Sequence, residues 1–257
     1  MPLTAPASPD VVLLSAGPGD LDLLTLGAVK ALAAAQVLLL DELVDPQIVA
    51  LAPQARVIHV GKRGGCRSTP QQFICRLMRR YALQGLRVVR VKGGEALLFG
   101  RAGEEIAFLR RAGVGVRIIN GVSSAFAAAA ALNVSLTHRD HCHGVTFVTA
   151  HTHDGGEPDW ASLAAVGTTL AIYMGVRRIG AIARSLQAVL PGDTPAALVC
   201  DASRGSQRVH LTTLAGLQAL WGQQHDGAPG VILVGRALAE AQVAHPCAAT
   251  LIEKIAI

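Results

Sequence analysis

The 257-residue chain is poor in aromatic and charged side chains. Aromatic residues make up 4% of it, with two Trp and two Tyr, and charged residues make up 16%. The basic residues are scattered and have few aromatic neighbours, so the net charge of +5 is weak support for a nucleic-acid partner. A small polyanionic substrate fits the same charge, because a basic cleft concentrates acidic ligands. Composition alone leaves both kinds of partner open.

The sequence also lacks paired cysteine motifs. Its five cysteines are an odd number and contain no CxxC pair; they are Cys66, Cys75, Cys142, Cys200 and Cys247. This pattern fits reduced thiols better than a disulfide framework or a zinc ribbon. We assign the cysteines no chemistry.

The sequence also has no long apolar run, and we expect no secretory leader. The longest apolar runs, Ala31 to Leu40 and Ala125 to Leu132, fall short of the ~20 residues that a membrane-spanning helix needs. Met1 to Asp10 contains no Lys or Arg, so the basic start of a signal peptide is absent. We therefore expect a soluble, cytoplasmic protein without a membrane partner.

What the sequence does have is a 51% hydrophobic content arranged in alternating strand-like and helix-like segments. In the first half we predict strands at Val11 to Leu14, Val37 to Leu40, Val57 to Val60, Val88 to Val91 and Val116 to Ile119. We predict helices at Leu23 to Ala35, Pro70 to Gln84, Gly103 to Arg111 and Ala125 to Ala131. Buried strands joined by helical crossovers form a mainly parallel sheet.

The polar, histidine-rich segment Asn133 to Gly144 interrupts this rhythm, and we place a domain boundary after Thr137. The predicted domains are therefore 1–137 and 138–257. Strands resume at Thr146 to Thr149, Thr169 to Tyr173, Thr194 to Val199, Gln207 to Thr212 and Val231 to Val234. No long helix is expected between Ala196 and Val209, so some strands of the second domain must pair antiparallel. The fold class is α/β, with a mixed second sheet.

Two glycine-rich turns follow predicted strands. The turn Ser15 to Asp20 lets a ligand approach the backbone closely, as does the segment Lys92 to Glu105. A dinucleotide fingerprint would need a third glycine where Asp22 stands, so the Rossmann interpretation fails. Each turn alone is also compatible with an ordinary strand-to-helix connection. Together, at the carboxyl ends of parallel strands, they indicate one shared ligand crevice.

The order and spacing of these segments resemble the tetrapyrrole methylase family over nearly the whole chain. Ser15 to Asp20 is similar to the family's GAGPGD turn, and Leu40 to Val44 and Val60 to Arg63 are similar to its YDxLV and VGKR stretches. Within the family, the resemblance is to the members that methylate uroporphyrinogen III; the segments that carry it are Gly61 to Arg63, Gln71, Leu136 to Asp140, Val148 to His151 and Tyr173 to Gly175. The resemblance implies two α/β domains with a cleft between them.

The activity that the resemblance implies is two successive methyl transfers from S-adenosylmethionine to ring carbons of uroporphyrinogen III. The products are precorrin-2 and S-adenosylhomocysteine, on the route to sirohaem and cobalamin. A sulfonium methyl group is already activated, so the protein must mainly align a carbon nucleophile with it and remove a proton. The family also leads us to expect a homodimer, a tetrapyrrole partner, and neither a metal nor nucleic acid.

Residue-by-residue matching to the family supplies the expected site. Asp41 and Lys62 fall where the family carries proposed proton-transfer residues. Arg101, Glu104, Arg139 and His151 fall where it lines the substrate side, and the two arginines suit substrate carboxylates. The group that moves the proton stays open, since both Glu104 and His151 titrate readily. The positions expected around the cofactor are Pro18, Gly93, Gly94, Glu95, Leu98, Ser123, Ser124, Met174 and Ala202.

The sequence departs from the family pattern at five positions. Ser15 replaces a glycine, Glu95 an aspartate, Ala96 and Asn120 two prolines, and His141 a tyrosine. All the proposed acid-base positions are present, so we expect an active enzyme with a modified cofactor pocket.

Three alternatives remain. A metal site is one, since good zinc ligands are clustered at His138, His141, Cys142 and His143, with His151 and His153 downstream. Adjacent residues rarely complete a tetrahedral site. A sister methylase acting on a later corrinoid precursor would share the glycine turns. A catalytically silent paralogue that binds tetrapyrrole or cofactor is compatible with the altered pocket.

Overall fold

The computed structural model describes residues 10–61, 69–151, 156–220 and 227–243. Within these ranges the chain packs into two compact units. The first contains residues 10–128, 200–208 and 227–231, and the second contains 129–199, 209–220 and 232–243. The first unit is thus assembled from three separate stretches of chain. The boundary expected after Thr137 stays a prediction.

The first sheet has five parallel strands in the order β3-β2-β4-β1-β5. They are β1 (Asp10–Ser15), β2 (Val37–Leu40), β3 (Arg56–His59), β4 (Val88–Lys92) and β5 (Gly115–Ile119). The central strands β1, β2 and β4 are buried along almost their whole length. Continuous burial of this kind is typical of a sheet covered on both faces. The parallel pairing of the five strands confirms the predicted parallel sheet.

Four α-helices accompany these strands. They are α1 (Leu26–Ala33), α2 (Gln71–Leu83), α3 (Ala102–Arg111) and α4 (Ser124–Ala131). Helix α1 is shorter than the predicted Leu23 to Ala35, because the Thr25 hydroxyl accepts the Ala28 amide at 3.1 Å and caps the helix there. The residues before it form a separate 3-10 turn, Leu21–Leu23. A second 3-10 turn, Pro46–Leu51, lies between β2 and β3.

Two apolar cores lie in the first unit. Val11, Leu13 and Leu39 belong to a core that contains Met78 of α2 and Leu109 of α3. The alternate residues Val12, Leu14, Leu38 and Leu40 belong to a second core that contains Leu32 of α1. Since successive side chains of a strand point to opposite faces, the helices cover both faces of the sheet.

The second sheet is mixed and has the order β6-β7-β10-β8-β9, which confirms the predicted sheet type. Its strands are β6 (Val145–Thr149), β7 (Thr169–Tyr173), β8 (Pro195–Cys200), β9 (Arg208–Thr213) and β10 (Gly230–Val234). Strands β6 and β7 pair in parallel, with Thr149 opposite Tyr173. The helices here are α5 (Trp160–Ala165), α6 (Ile179–Gln187) and α7 (Leu214–Leu220), and the sequence analysis predicted none of them.

Among the described residues, no helix has the length and apolar character that crossing a membrane requires.

Candidate active site at the glycine turns

The two glycine turns of the first unit are joined directly by hydrogen bonds. Ser15 and Lys92, the last residues of β1 and β4, lie opposite each other in the parallel ladder. Just beyond them, the Gly17 amide donates to the Gly94 carbonyl at 3.2 Å, and the Gly94 amide donates to the Gly17 carbonyl at 2.7 Å. The predicted convergence of the two turns at one sheet edge is therefore confirmed.

Glycine is required in these turns for two physical reasons. Gly17 and Gly94 have φ angles of +72° and +65°, which side-chain-bearing residues rarely adopt. At Gly93 a Cβ atom would lie 3.1 Å from the Leu43 Cβ, so a side chain there would require the loop after β2 to move by a few tenths of an ångström. The bare backbone leaves the turns open to close approach by a ligand.

Hydrogen bonds of the Glu95 carboxylate hold the second turn against the ends of strands β1 and β5. Its Oε1 accepts the Ser15 hydroxyl at 3.3 Å and the Leu97 amide at 2.9 Å. Its Oε2 accepts the Gly121 amide at 2.9 Å and the Asn120 side-chain amide at 3.4 Å. Four of the five departures from the family pattern, at Ser15, Glu95, Ala96 and Asn120, thus belong to one hydrogen-bonded network. The Ala96 amide completes it by donating to the Ser15 hydroxyl at 2.9 Å.

Two predicted site residues other than glycine have left-handed backbone, and a third lies between two residues that do. Arg101 has φ +57° and Met174 φ +55°, and buried Ala202 lies between Asp201 at +49° and Ser203 at +67°. Each such residue costs of order 1 kcal/mol or more and persists only where its surroundings fix it. Backbone strain of this kind clusters at functional sites, so it supports these segments as candidates.

Arg101 and Glu104 form a bidentate ion pair at the start of α3. The guanidinium Nε and Nη2 donate to the two carboxylate oxygens, each at 2.8 Å. This hydrogen-bonded carboxylate raises the pKa of Arg101. Their side chains are 58% and 57% exposed, so both groups are accessible to a ligand.

A buried charge network lies beneath the turns and reaches Asp41. Arg90, which is 2% exposed, donates from Nη2 to Asp41 Oδ2 at 3.0 Å and from Nε to Glu105 Oε1 at 3.3 Å. Lys92 Nζ donates to Glu105 Oε1 at 3.3 Å, and Gln71 Nε2 donates to the same oxygen at 2.8 Å. Burial, followed by the neighbouring Arg90 charge, lowers the pKa of Lys92. The network fixes the Asp41 carboxylate, which is one-third exposed, at the end of β2.

Arg90, Lys92 and Glu105 were given no individual role from the sequence. The Glu105 side chain is nevertheless fully buried against Arg90 and Lys92. The available signal was the pattern Val-Arg-Val-Lys in β4, because charged residues inside a strand flanked by buried strands require partners.

Other predicted positions around the first unit's turns are described as follows. Pro18 is half-buried, and its carbonyl accepts Arg204 Nε at 3.5 Å. The Leu98 amide donates to the Glu95 carbonyl at 3.1 Å, which closes a turn. Ser123 is buried before α4, and a Cβ atom on Gly94 would lie 3.5 Å from the Ser124 hydroxyl. Lys62 lies outside the described residues.

Three predicted residues belong to the second unit. His151 follows β6 and Met174 follows β7, and the Ala150 amide donates to the Tyr173 carbonyl at 2.9 Å. His151 is exposed, and Met174 is 52% exposed. Arg139 is exposed in the tight turn that His138 and Cys142 close by mutual backbone hydrogen bonds of 2.9 and 2.8 Å.

The histidines around that turn do not form a metal-binding group within the part of the chain that the structure describes. The His138 and His141 rings stack at 4.5 Å, and His138 Nδ1 accepts the Asp140 amide at 3.2 Å. The Cys142 thiol is buried and lies 3.2 Å from the Thr169 hydroxyl. The expectation that the protein works without a metal stays a prediction.

Paired glycine turns at the carboxyl edge of a parallel sheet are typical of α/β proteins that bind small molecules at that edge. The sequence matches the family of Tetrapyrrole (Corrin/Porphyrin) Methylases over residues 10–218. The chain therefore belongs to that family.

Individual relatives agree with this assignment. The chain is 48% identical over 226 residues to a uroporphyrinogen-III C-methyltransferase of Pseudomonas aeruginosa, which covers 88% of the chain and 92% of that protein. It is 42% identical to siroheme synthase 2 of Aeromonas hydrophila over 90% of the chain but only 49% of that protein. A uroporphyrin-III C-methyltransferase from Thermus thermophilus, solved with S-adenosylhomocysteine, has a TM-score of 0.77 and 37% identity, and covers 89% of this chain and 98% of its own.

Proposed function

We propose that this protein is an S-adenosylmethionine-dependent uroporphyrinogen-III C-methyltransferase that forms precorrin-2 by two successive methylations. The paired turns of Gly17 and Gly94 carry the proposal, because they bring backbone without side chains to the edge of the sheet, where main-chain groups can bind a cofactor. The similarity to the Pseudomonas aeruginosa and Thermus thermophilus enzymes gives the substrate and the cofactor.

The residues around the turns fit S-adenosylmethionine. Gly93 and Gly94 expose backbone, and Ser124 places a hydroxyl beside Gly94. The carboxylate of Glu95 holds this turn against Ser15 and Gly121. When bound, the cofactor supplies an activated methyl group, so the protein's task is to hold the acceptor carbon in line with it. Pro18, Leu98, Ser123, Met174 and Ala202 remain assigned to the cofactor by the family resemblance.

Asp41 is positioned to take part in proton removal after methyl transfer. Its Oδ2 is held by buried Arg90, and its Oδ1 accepts the Glu42 amide at 3.0 Å, so the carboxylate is fixed and still partly exposed. A fixed, accessible carboxylate is suited to general base chemistry. Lys62, Glu104 and His151 remain the other candidates, and Arg101 and Arg139 are proposed to bind substrate carboxylates.

We also propose that the enzyme is a cytoplasmic homodimer that serves sirohaem or cobalamin synthesis. The family resemblance supports the dimer, and the siroheme synthase relative supports the sirohaem branch. Size-exclusion chromatography with light scattering measures the oligomeric state.

The test of the activity is incubation of purified protein with labelled S-adenosylmethionine and enzymatically generated uroporphyrinogen III. We expect label in a dimethylated product with the properties of precorrin-2. Methylation of a later corrinoid precursor instead would identify a sister methylase. Binding of S-adenosylhomocysteine without methylation of either substrate would identify a silent paralogue.

A further inference from the structure

An open groove runs along the first unit between α2 and α3. Its volume is about 890 Å³. Residues of the first turns of α2 line one wall, and residues of α3 line the other. Those used below are Gln71, Cys75, Arg76, Arg101, Glu104 and Arg111. The groove begins at the Arg101–Glu104 pair and extends along α3 to Arg111.

Two of the three arginines that line this groove have guanidinium groups without a partner among the described residues. Arg101 is neutralised by Glu104 at 2.8 Å. Arg76 and Arg111 are exposed, and neither guanidinium group forms a hydrogen bond or an ion pair with any residue in the described ranges. An arginine without an internal partner retains its full capacity to bind a carboxylate or phosphate. The groove therefore contains an excess of positive charge that no residue in the described ranges neutralises.

The other groups in the groove do not oppose an anion. Gln71 uses its side-chain amide to hold Glu105 at 2.8 Å, so the buried carboxylate behind it is covered. The Cys75 thiol is buried, and burial together with the Glu105 charge raises its pKa, so it stays neutral. Phe108 is the one aromatic residue that lines the groove, which makes stacking of successive nucleic-acid bases unsuitable.

We propose that Arg76 and Arg111 form a subsite for carboxylate side chains of the tetrapyrrole substrate. This inference rests on the proposed function, since the substrate class is a macrocycle with flexible acetate and propionate arms around its rim. Such arms extend outward from the ring and are matched by guanidinium groups presented along a groove. The subsite contributes binding of the substrate and does not take part in methyl transfer.

The chain offers a matched control for each arginine. Arg79 lies on the same helix as Arg76, and Arg110 is the neighbour of Arg111 on α3. Both controls are exposed and lie outside the groove lining. The double variants Arg76→Gln/Arg111→Gln and Arg79→Gln/Arg110→Gln therefore remove the same charge from the same helices. They differ only in whether the charge faces the groove.

The experiment titrates each protein with uroporphyrin III, the air-stable oxidised form of the substrate, at low ionic strength and follows porphyrin fluorescence. The groove variant should bind about tenfold or more weakly than the parent, and the control within about twofold of it. Both should bind S-adenosylhomocysteine like the parent. Equal losses in both variants, no loss in either, or no porphyrin binding by the parent would overturn the proposal.

Methylation assays separate this inference from the proposed function. If the parent methylates uroporphyrinogen III and the groove variant shows an unchanged KM, the subsite is wrong while the function stands. If the parent does not methylate but the groove variant alone loses porphyrin binding, the subsite stands and the proposed function falls. A raised KM with unchanged kcat in the groove variant supports both.

Discussion

The Ser15 hydroxyl makes two contacts at the centre of the candidate site. It donates to Glu95 and accepts the amide of Ala96, and it is fully buried. A proline at position 96 would have no amide to offer, so Ser15 and Ala96 are chemically dependent on each other. Ala96 also occupies the second position of the turn that the Leu98 amide closes onto the Glu95 carbonyl. Proline is favoured at that position of such turns.

Ser15→Ala should lower the free energy of unfolding by about 1–3 kcal/mol, because the Ala96 amide would be left buried without an acceptor. Adding Ala96→Pro should recover a large part of this loss, since the orphaned donor no longer exists. Urea denaturation followed by circular dichroism measures both variants. Additive losses in the double variant would show that Ser15 and Ala96 are not coupled.

Arg139 should act on the tetrapyrrole and not on the cofactor, because a guanidinium gains little beside a sulfonium cation. Arg139→Ala should lower kcat/KM for uroporphyrinogen III about a hundredfold if a bidentate contact is lost. Affinity for S-adenosylhomocysteine should be nearly unchanged in calorimetry. Loss of cofactor binding with normal substrate KM would refute the assignment.

The site residues that could be predicted from the sequence are those whose identity depends on the local backbone conformation. The glycine turns could be predicted because positive φ angles and close approach leave few alternatives to glycine. The contacts of Ser15 with Glu95 could not be predicted, because they connect positions 80 residues apart. Such pairs are decided by the register of β1 against β4, which no local pattern specifies.

At the scale of whole elements, β4 is a central strand that carries two buried cations. Lys92→Met should lower the free energy of unfolding by about 3 kcal/mol, because Glu105 would lose one of its two cationic partners in a fully buried position. Lys30→Met, at an exposed lysine on α1, is the control and should change stability by less than about 0.5 kcal/mol. Chemical denaturation measures both variants, and equal effects would mean that the buried network contributes nothing.

The stability of the protein should depend on pH through Cys75, which lies on helix α2. Burial, followed by the Glu105 charge, raises the pKa of this thiol above 9.0, so the unfolded chain ionises first as the pH rises. The thiol's contribution is complete below pH 9 and is lost as the pH rises through the pKa in the folded state. The stability difference between the parent and Cys75→Ser should therefore be constant between pH 7 and 8 and shift against the parent above 9. A difference that stays constant to pH 10 would contradict this environment for the thiol.

Prediction of the strands was accurate because a single sequence signal identifies them. All ten strands lie within a residue or two of their predicted positions, because buried strands read as short β-branched or Leu-rich runs. Helices α5, α6 and α7 were missed, although the apolar residues Ile179, Ile182, Ala183 and Leu186 of α6 follow the helical period and are buried. Their formation depends on packing, as for Trp160, which is 4% exposed at the start of α5.

The whole protein should bind S-adenosylhomocysteine without a metal. Calorimetry in the presence of EDTA should give the same affinity as in its absence, since the turns offer backbone and hydroxyl groups. A protein purified without a histidine tag avoids metal carried by the tag. Affinity that disappears with EDTA and returns with zinc would contradict this prediction, and no binding by folded protein would count against the proposed function.

The first unit is built from three separate stretches of chain, so its parts become available for folding at different times during synthesis. Arg204 packs beside Gly19 and donates to the carbonyls of Pro18 and Leu43, yet it is made long after them. A nascent chain that has released only the first 137 residues from the ribosome has the whole parallel sheet but lacks residues 200–208 and 227–231. The glycine turn at Pro18 thus gains its contact with Arg204 only when most of the polypeptide has emerged.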